Sequence, residues 1–173
     1  VVLFHPHGPT SSSQPCGLLK PPIRLEFDYF RNAQGKPRGI AAMPGSGPTW
    51  LSGLITLPDK SGSERLVATY MKIKPPLTVY QTGLCVWNEK NANFEHVQTL
   101  WNKSETDLEH PPMPTWHALI IDGEDGKKWA VFGNPFPTLR CPATFEAWQN
   151  PDIWERLKPQ ESLVSTTDGS VVK

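Results

Sequence analysis

Pro48-Thr49-Trp50-Leu51-Ser52-Gly53-Leu54-Ile55-Thr56-Leu57 and Pro114-Thr115-Trp116-His117-Ala118-Leu119-Ile120-Ile121 open on one tripeptide and continue as apolar runs. After the first comes the hydrophilic turn Pro58–Ser63 and a second run, Leu66–Met71. The turn Asp122–Gly126 and the strand-like Trp129–Phe132 follow the other. Two hairpins with the same heading, spaced by roughly a blade's length, predict a radially repeated β architecture. Ile23–Phe30 alternates with period two and leads through Asn32-Ala33-Gln34-Gly35 into Gly39–Met43. Ser162–Ser165, Asp168-Gly169 and Val171-Val172 make a fourth hairpin pattern.

The expected fold is therefore all-β: part of a β-propeller, about three four-stranded antiparallel blades. Residues 1–22 form an irregular lead-in and 23–47 a partial blade. Residues 48–110 make one blade, 111–160 a second, and 161–173 the start of the next. In the first complete blade the expected strands are Leu51–Leu57, Arg65–Ile73, Tyr80–Trp87 and Phe94–Trp101. The second departs from that plan. Phe145 with Trp148, and Ile153 with Trp154 and Leu157, fall at helical spacings on either side of Pro151. Two short helical turns are expected near 143–158, packed outside the sheet, with Thr144 or Asn150 as caps.

Composition sets limits. Of 173 residues 38% are hydrophobic, enough for a core, and 19 prolines break up long helices. The formal net charge of +0 leaves no basic excess for nucleic acid. No apolar stretch approaches the roughly 20 residues of a membrane-spanning helix. Cys16, Cys85 and Cys141 stand too far apart for a zinc cluster, so no metal or cofactor is expected. Cys85 and Cys141 read as buried free thiols on strands, with a long-range disulfide as the alternative. The Asn102-Lys103-Ser104 sequon is too common by chance to fix a compartment. The chain opens Val1-Val2-Leu3-Phe4 and closes inside a hairpin pattern, which reads as a fragment of a longer protein.

The runs Glu64–Tyr70, Gly83–Asn88, Phe94-Glu95 and Trp129–Pro135 resemble the blade pattern of bacterial five-bladed propellers. That group includes arabinanase-like and levansucrase/invertase-like glycoside hydrolases. Within it, about residues 20–173 are most similar to uncharacterised, exported bacterial proteins. The resemblance implies a secreted or periplasmic protein with a carbohydrate ligand. Its motifs are architectural and single out no catalytic carboxylate.

The candidate site follows from strand position. Trp50 and Trp116 precede putative innermost strands, where indole faces can stack on sugar rings; packing between blades is the competing reading. His117 breaks the repeat at the position of Leu51, so it is a further substrate-binding candidate or else a hydrogen-bonded structural histidine. Arg140 could clamp the carboxylate of an acidic sugar, or form a salt bridge within its blade. Glycoside hydrolysis needs two carboxyl groups, and Asp28 and Glu109 are the catalytic candidates. Asp28 shares a strand face with Arg24 and Glu26, which also suits a solvated face; Glu109 suits an ordinary loop acid. Two functions stay open: a glycoside-hydrolase-like enzyme, or a non-catalytic propeller binding glycan or protein at its central face.

Overall fold

The computed structural model describes residues 28–156 apart from Pro114, Asp125 and Pro135. Most of the expected Ile23–Phe30 strand, the Ser162–Val172 hairpin and Cys16 lie outside the described residues. The chain divides into two compact units, Val1–Ile40 and Ala41–Lys173. In the first, Arg31 and Pro37 form an antiparallel bridge around the Asn32–Gly35 turn. The run Gly39–Met43 forms no strand.

The second unit is mostly β. Strands β1 (Thr49–Pro58), β2 (Glu64–Lys74), β3 (Thr78–Asn88) and β4 (Asn93–Asn102) make one antiparallel sheet, in chain order. Strands β5 (Leu119–Asp122), β6 (Lys128–Gly133), β7 (Pro137–Pro142) and β8 (Glu155–Arg156) make another, again in chain order. Both are open sheets of four strands. β7 was not assigned from sequence; the prolines that obscure it stand at its two ends, where their missing N–H groups disturb the ladder least.

Alternation explains the core. Ile55 and Leu57 on β1, Val67 on β2, and Leu84 and Val86 on β3 form one apolar face of the first sheet. They share a single buried cluster with Ala130 and Phe132 of β6 and Leu139 and Cys141 of β7. The helical insert closes this cluster instead of packing outside the sheet. Helix α1 (Phe145–Trp148) buries Ala147 and Trp148 in it. Trp154, after the 3-10 turn Pro151–Ile153, sets its ring edge-on to Phe132 at 4.7 Å. Burial of that indole outweighs an exterior position for so short a helix. Thr144 caps α1 by accepting from the Ala147 N–H at 3.2 Å, whereas Asn150 makes no side-chain cap.

The hairpin turns are copies of one another. Asp59 N–H donates to Ser63 O at 2.9 Å, and Gly62 N–H to Asp59 O at 2.8 Å. Gly123 N–H donates to Lys127 O at 2.7 Å, and Gly126 N–H to Gly123 O at 2.9 Å. Asn32 N–H donates to Lys36 O at 2.8 Å and Gly35 N–H to Asn32 O at 2.9 Å, so the first unit carries the same turn. Each ends in a left-handed glycine, at φ 73° in Gly35, 81° in Gly62 and 74° in Gly126.

Counted from these turns, the tripeptide copies do not superpose. Trp50 lies within β1 opposite Met71. Trp116 precedes β5, and its carbonyl accepts from Gly133 N–H at 2.7 Å, a position that corresponds to Ser52 beside Thr69. Each tripeptide heads the first strand of a four-stranded sheet, but the second stands two residues nearer its turn. The bulge between Ser52 and Ile55, with Gly53 at φ 58°, recurs between Trp116 and Leu119, with His117 at φ 52°, so it is common to both hairpins and leaves the offset to the placement of the tripeptide itself.

Candidate functional site

The seam between the first strands of the two sheets brings several candidates together. Thr69, on β2, is 3% exposed, and its hydroxyl lies 3.1 Å from both Ser52 O and Thr115 O. Its one proton bonds to one carbonyl at a time. The Ser52 hydroxyl, 2.9 Å away, completes the cluster. Thr115 is itself 2% exposed, so this contact fixes the Thr115–Ala118 segment against β1. A Cβ on Gly53 would stand 3.0 Å from Thr115 O and 3.4 Å from the Ala118 methyl, so a side chain there would force these neighbours to give by a few tenths of an ångström and would be strained at φ 58°.

Two candidates in the seam reach solvent. Trp50 is 47% exposed at the start of β1, and His117 is exposed at the start of the β5 segment. His117 has φ 52°, in the left-handed region that only a few per cent of non-glycine residues occupy. Such a conformation costs on the order of 1 kcal/mol and persists because Thr115 and Trp116 are pinned on its N-terminal side. Trp116 is half-buried. The seam therefore offers one indole, one imidazole and a buried hydroxyl cluster.

The other candidates stand elsewhere. Glu109 is exposed, and Lys103 Nζ donates to it at 2.6 Å. That hydrogen bond, reinforced by the ammonium charge, holds its carboxyl below the usual carboxylate range, so it stays ionised where a leaving-group acid must hold a proton. Asp28 is exposed and belongs to the first compact unit. Arg140 is engaged within its own sheet. Its guanidinium donates to Glu155 from Nε at 2.7 Å, pairs through a second nitrogen at 2.6 Å, and lies 4.1 Å from the Trp129 ring centroid. Of the two readings left open for Arg140, the salt bridge within the sheet is the one formed. Cys85 and Cys141 are free and buried, with thiols pushed up to about 12 by burial, which makes them inert. Among the described residues no group of three or more His, Cys, Asp or Glu side chains could hold a metal ion.

Sequence reasoning missed two polar features. Lys72 interrupts the apolar run of β2, is 3% exposed, and donates to Gly47 O at 2.7 Å and Thr49 Oγ1 at 3.1 Å. Two places before it, the Tyr70 hydroxyl lies 3.4 Å from Gln81 Oε1 and 3.2 Å from Thr99 Oγ1, and burial raises its pKa. The signal was a lysine two residues from a tyrosine inside an otherwise apolar strand. Separately, a groove of about 680 Å³ at the turn end of the first sheet is lined by Thr56, Glu64, Leu66, Trp87 and Lys90, among others. It contains none of the candidates read from sequence. No family model, curated protein or solved structure matches this chain.

Proposed function

We propose that the two sheets are consecutive blades of a β-propeller and that the seam between their first strands binds carbohydrate without cleaving it. The observation that carries the reading is the Thr69–Thr115 contact, which holds the segment leading into His117 against the hairpin whose first strand carries the half-exposed Trp50. A half-exposed indole is a platform for the apolar face of a sugar ring, and an exposed imidazole on the adjoining segment can exchange hydrogen bonds with hydroxyls. The blade reading is supported by two meanders of four strands in chain order, their shared core and their copied turns. Binding is favoured over hydrolysis because Glu109 is held ionised by Lys103, which leaves it unfit to protonate a leaving group. An exported protein meeting extracellular polysaccharide suits this function.

Calorimetric titration of the chain against a panel of plant polysaccharides tests it. At least one member should bind, and Trp50→Ala should weaken that binding by about 1–3 kcal/mol, roughly ten- to a hundredfold. Trp116→Ala should cost less, since its ring is half-buried. Failure of the whole panel to bind, or equal affinity in Trp50→Ala, would remove the glycan reading. Release of reducing sugar that Glu109→Gln or Asp28→Asn abolishes would restore the enzyme.

A further inference from the structure

The two hairpins of the first sheet part near their turns. Strand β2 pairs with β1 as far as Glu64, and β3 pairs with β4 as far as Asn93. Between β2 and β3 the ladder stops at Val67 opposite Val86, short of both turns. The groove of about 680 Å³ lies where the hairpins part, with residues 64–66 on one bank and residues 86–90 on the other. Its volume falls within the roughly 300–1,000 Å³ of small-molecule sites. Leu66, Val86 and Trp87 supply its apolar surface. The Trp87 ring is half-buried and set edge-on to Phe94 at 5.2 Å.

Charge decides what the groove takes. Acids stand on both banks: Glu64 on β2, Glu89 just beyond β3 and Glu95 on β4, all exposed. Glu64 and Glu89 have no ion-pair partner among the described residues. Glu95 accepts from neutral amides, Asn88 Nδ2 at 2.8 Å and Asn91 Nδ2 at 3.0 Å. Of the cations lining the groove, Arg65 is drawn away by Asp59 at 4.0 Å and by the Phe145 ring at 5.3 Å. Lys90 is left to oppose three carboxylates. Acids on two sides of an apolar, aromatic gap complement a molecule that is cationic at both ends and aliphatic between. We propose that this groove binds a linear alkyl diamine or polyamine, with ammonium ends at Glu64 and Glu89 and methylenes along Leu66 and Trp87. The inference is independent of the glycan reading, since Trp50 stands at the opposite end of β1.

Calorimetric titration of the whole chain at low salt with spermidine, cadaverine and pentylamine tests the site. Spermidine and cadaverine should bind saturably, one molecule per chain, and more weakly as salt is added. Pentylamine, charged at one end, should bind about two- to fivefold more weakly than cadaverine. Glu64→Gln and Glu89→Gln should each weaken cadaverine by about two- to fivefold, and together by about tenfold. Both positions are exposed and free of ion pairs, so these variants should fold as the unaltered chain does. Glu124→Gln, at an exposed acid in the turn between β5 and β6, should change nothing. No saturable binding of either polyvalent amine would overturn the proposal. So would an equal loss in Glu124→Gln, which would reduce the effect to diffuse surface attraction. A lysine-rich peptide that binds where spermidine does not would overturn it too, by assigning the groove to a protein partner. Trp50→Ala should leave amine affinity unchanged, so loss of either reading leaves the other measurable.

Discussion

The two sheets turn their first hairpins identically and then diverge. The first has strands of 10 or 11 residues throughout. The second has strands of 4, 6, 6 and 2 residues, with α1 and a 3-10 turn inserted before the last. Turn chemistry is local and survives repetition. Strand length depends on what continues the ladder, and Pro137 and Pro142 cut β7 short at both ends. The second sheet recovers the lost contact area through aromatic packing: Trp148 is 1% exposed and Trp154 packs on Phe132. The insert also ties the sheets together, because Glu146 accepts from Lys60 N–H at 3.0 Å and Gln98 donates to Gln149 O at 2.8 Å.

If that shared core unites unequal sheets, damage to either should unfold both. Leu57→Ala removes a fully buried side chain of the first sheet and Phe132→Ala one that is 2% exposed in the second. The expected losses are about 2–5 and 3–5 kcal/mol. Urea unfolding followed by tryptophan fluorescence and by far-ultraviolet circular dichroism should give coincident transitions in both variants. Separate transitions in Phe132→Ala would show that the sheets fold as independent units.

The turns predict equal effects on a smaller scale. A Cβ at Gly62 or Gly126 would meet nothing within 4 Å, so alanine there is resisted by the backbone conformation alone. Gly62→Ala and Gly126→Ala should each cost about 1–2 kcal/mol. A marked inequality in chemical denaturation would break the equivalence of the turns. Their N-terminal residues do differ. Asp59 Oδ1 accepts from Ser61 N–H at 2.9 Å and from Ser63 N–H at 3.0 Å, while the corresponding Gly123 has no side chain to offer. Asn32 makes the same two bonds in its own turn, both at 3.0 Å. Gly123→Asp should therefore stabilise the protein by about 0.5–1 kcal/mol, through a less entropic unfolded chain and an added turn bond. An unchanged melting midpoint would show that the side chain does not govern the turn.

Much of this was legible in the residues. Asp59-x-x-Gly62 and Asn32-x-x-Gly35 announce their turns because only local backbone angles and one short side chain are involved. The four strands of the first sheet came out within two residues for the same kind of reason: alternation and polar turns are read along the chain. The seam was legible in part. Trp50 and His117 stood out as members of a repeat and as a break in it. That Thr69 would bond to Thr115, 46 positions away, could not be read, since a buried threonine carries no mark of its partner. Arg140 and Glu155 were likewise opaque: their pairing depends on β8, a two-residue strand that only the helical insert delivers.

The smallest expected effect separates the two turns by pH. The Ser61 hydroxyl bond to Asp59, aided by the backbone N–H groups of Ser63 and Ser61 and by the Arg65 charge, lowers the Asp59 pKa below 3.8. Its folded value therefore lies beneath its unfolded one, and between the two the unfolded chain binds more protons. The stabilisation is fully present above the unfolded pKa and is lost as pH falls through the folded one. Gly123 contributes nothing of the kind to the second turn. Asp59→Asn keeps an oxygen acceptor for the backbone, as Asn32 does, but removes the titration. Urea unfolding between about pH 2 and 7 should show the unaltered chain slightly more stable at neutral pH, with the two curves converging in acid. The difference should be small because interactions of a charge at the protein surface are screened by water and salt. Curves that stay parallel down to the lowest pH would mean that the turn is held by its backbone bonds, and that the charge at Asp59 adds nothing its copy at Gly123 lacks.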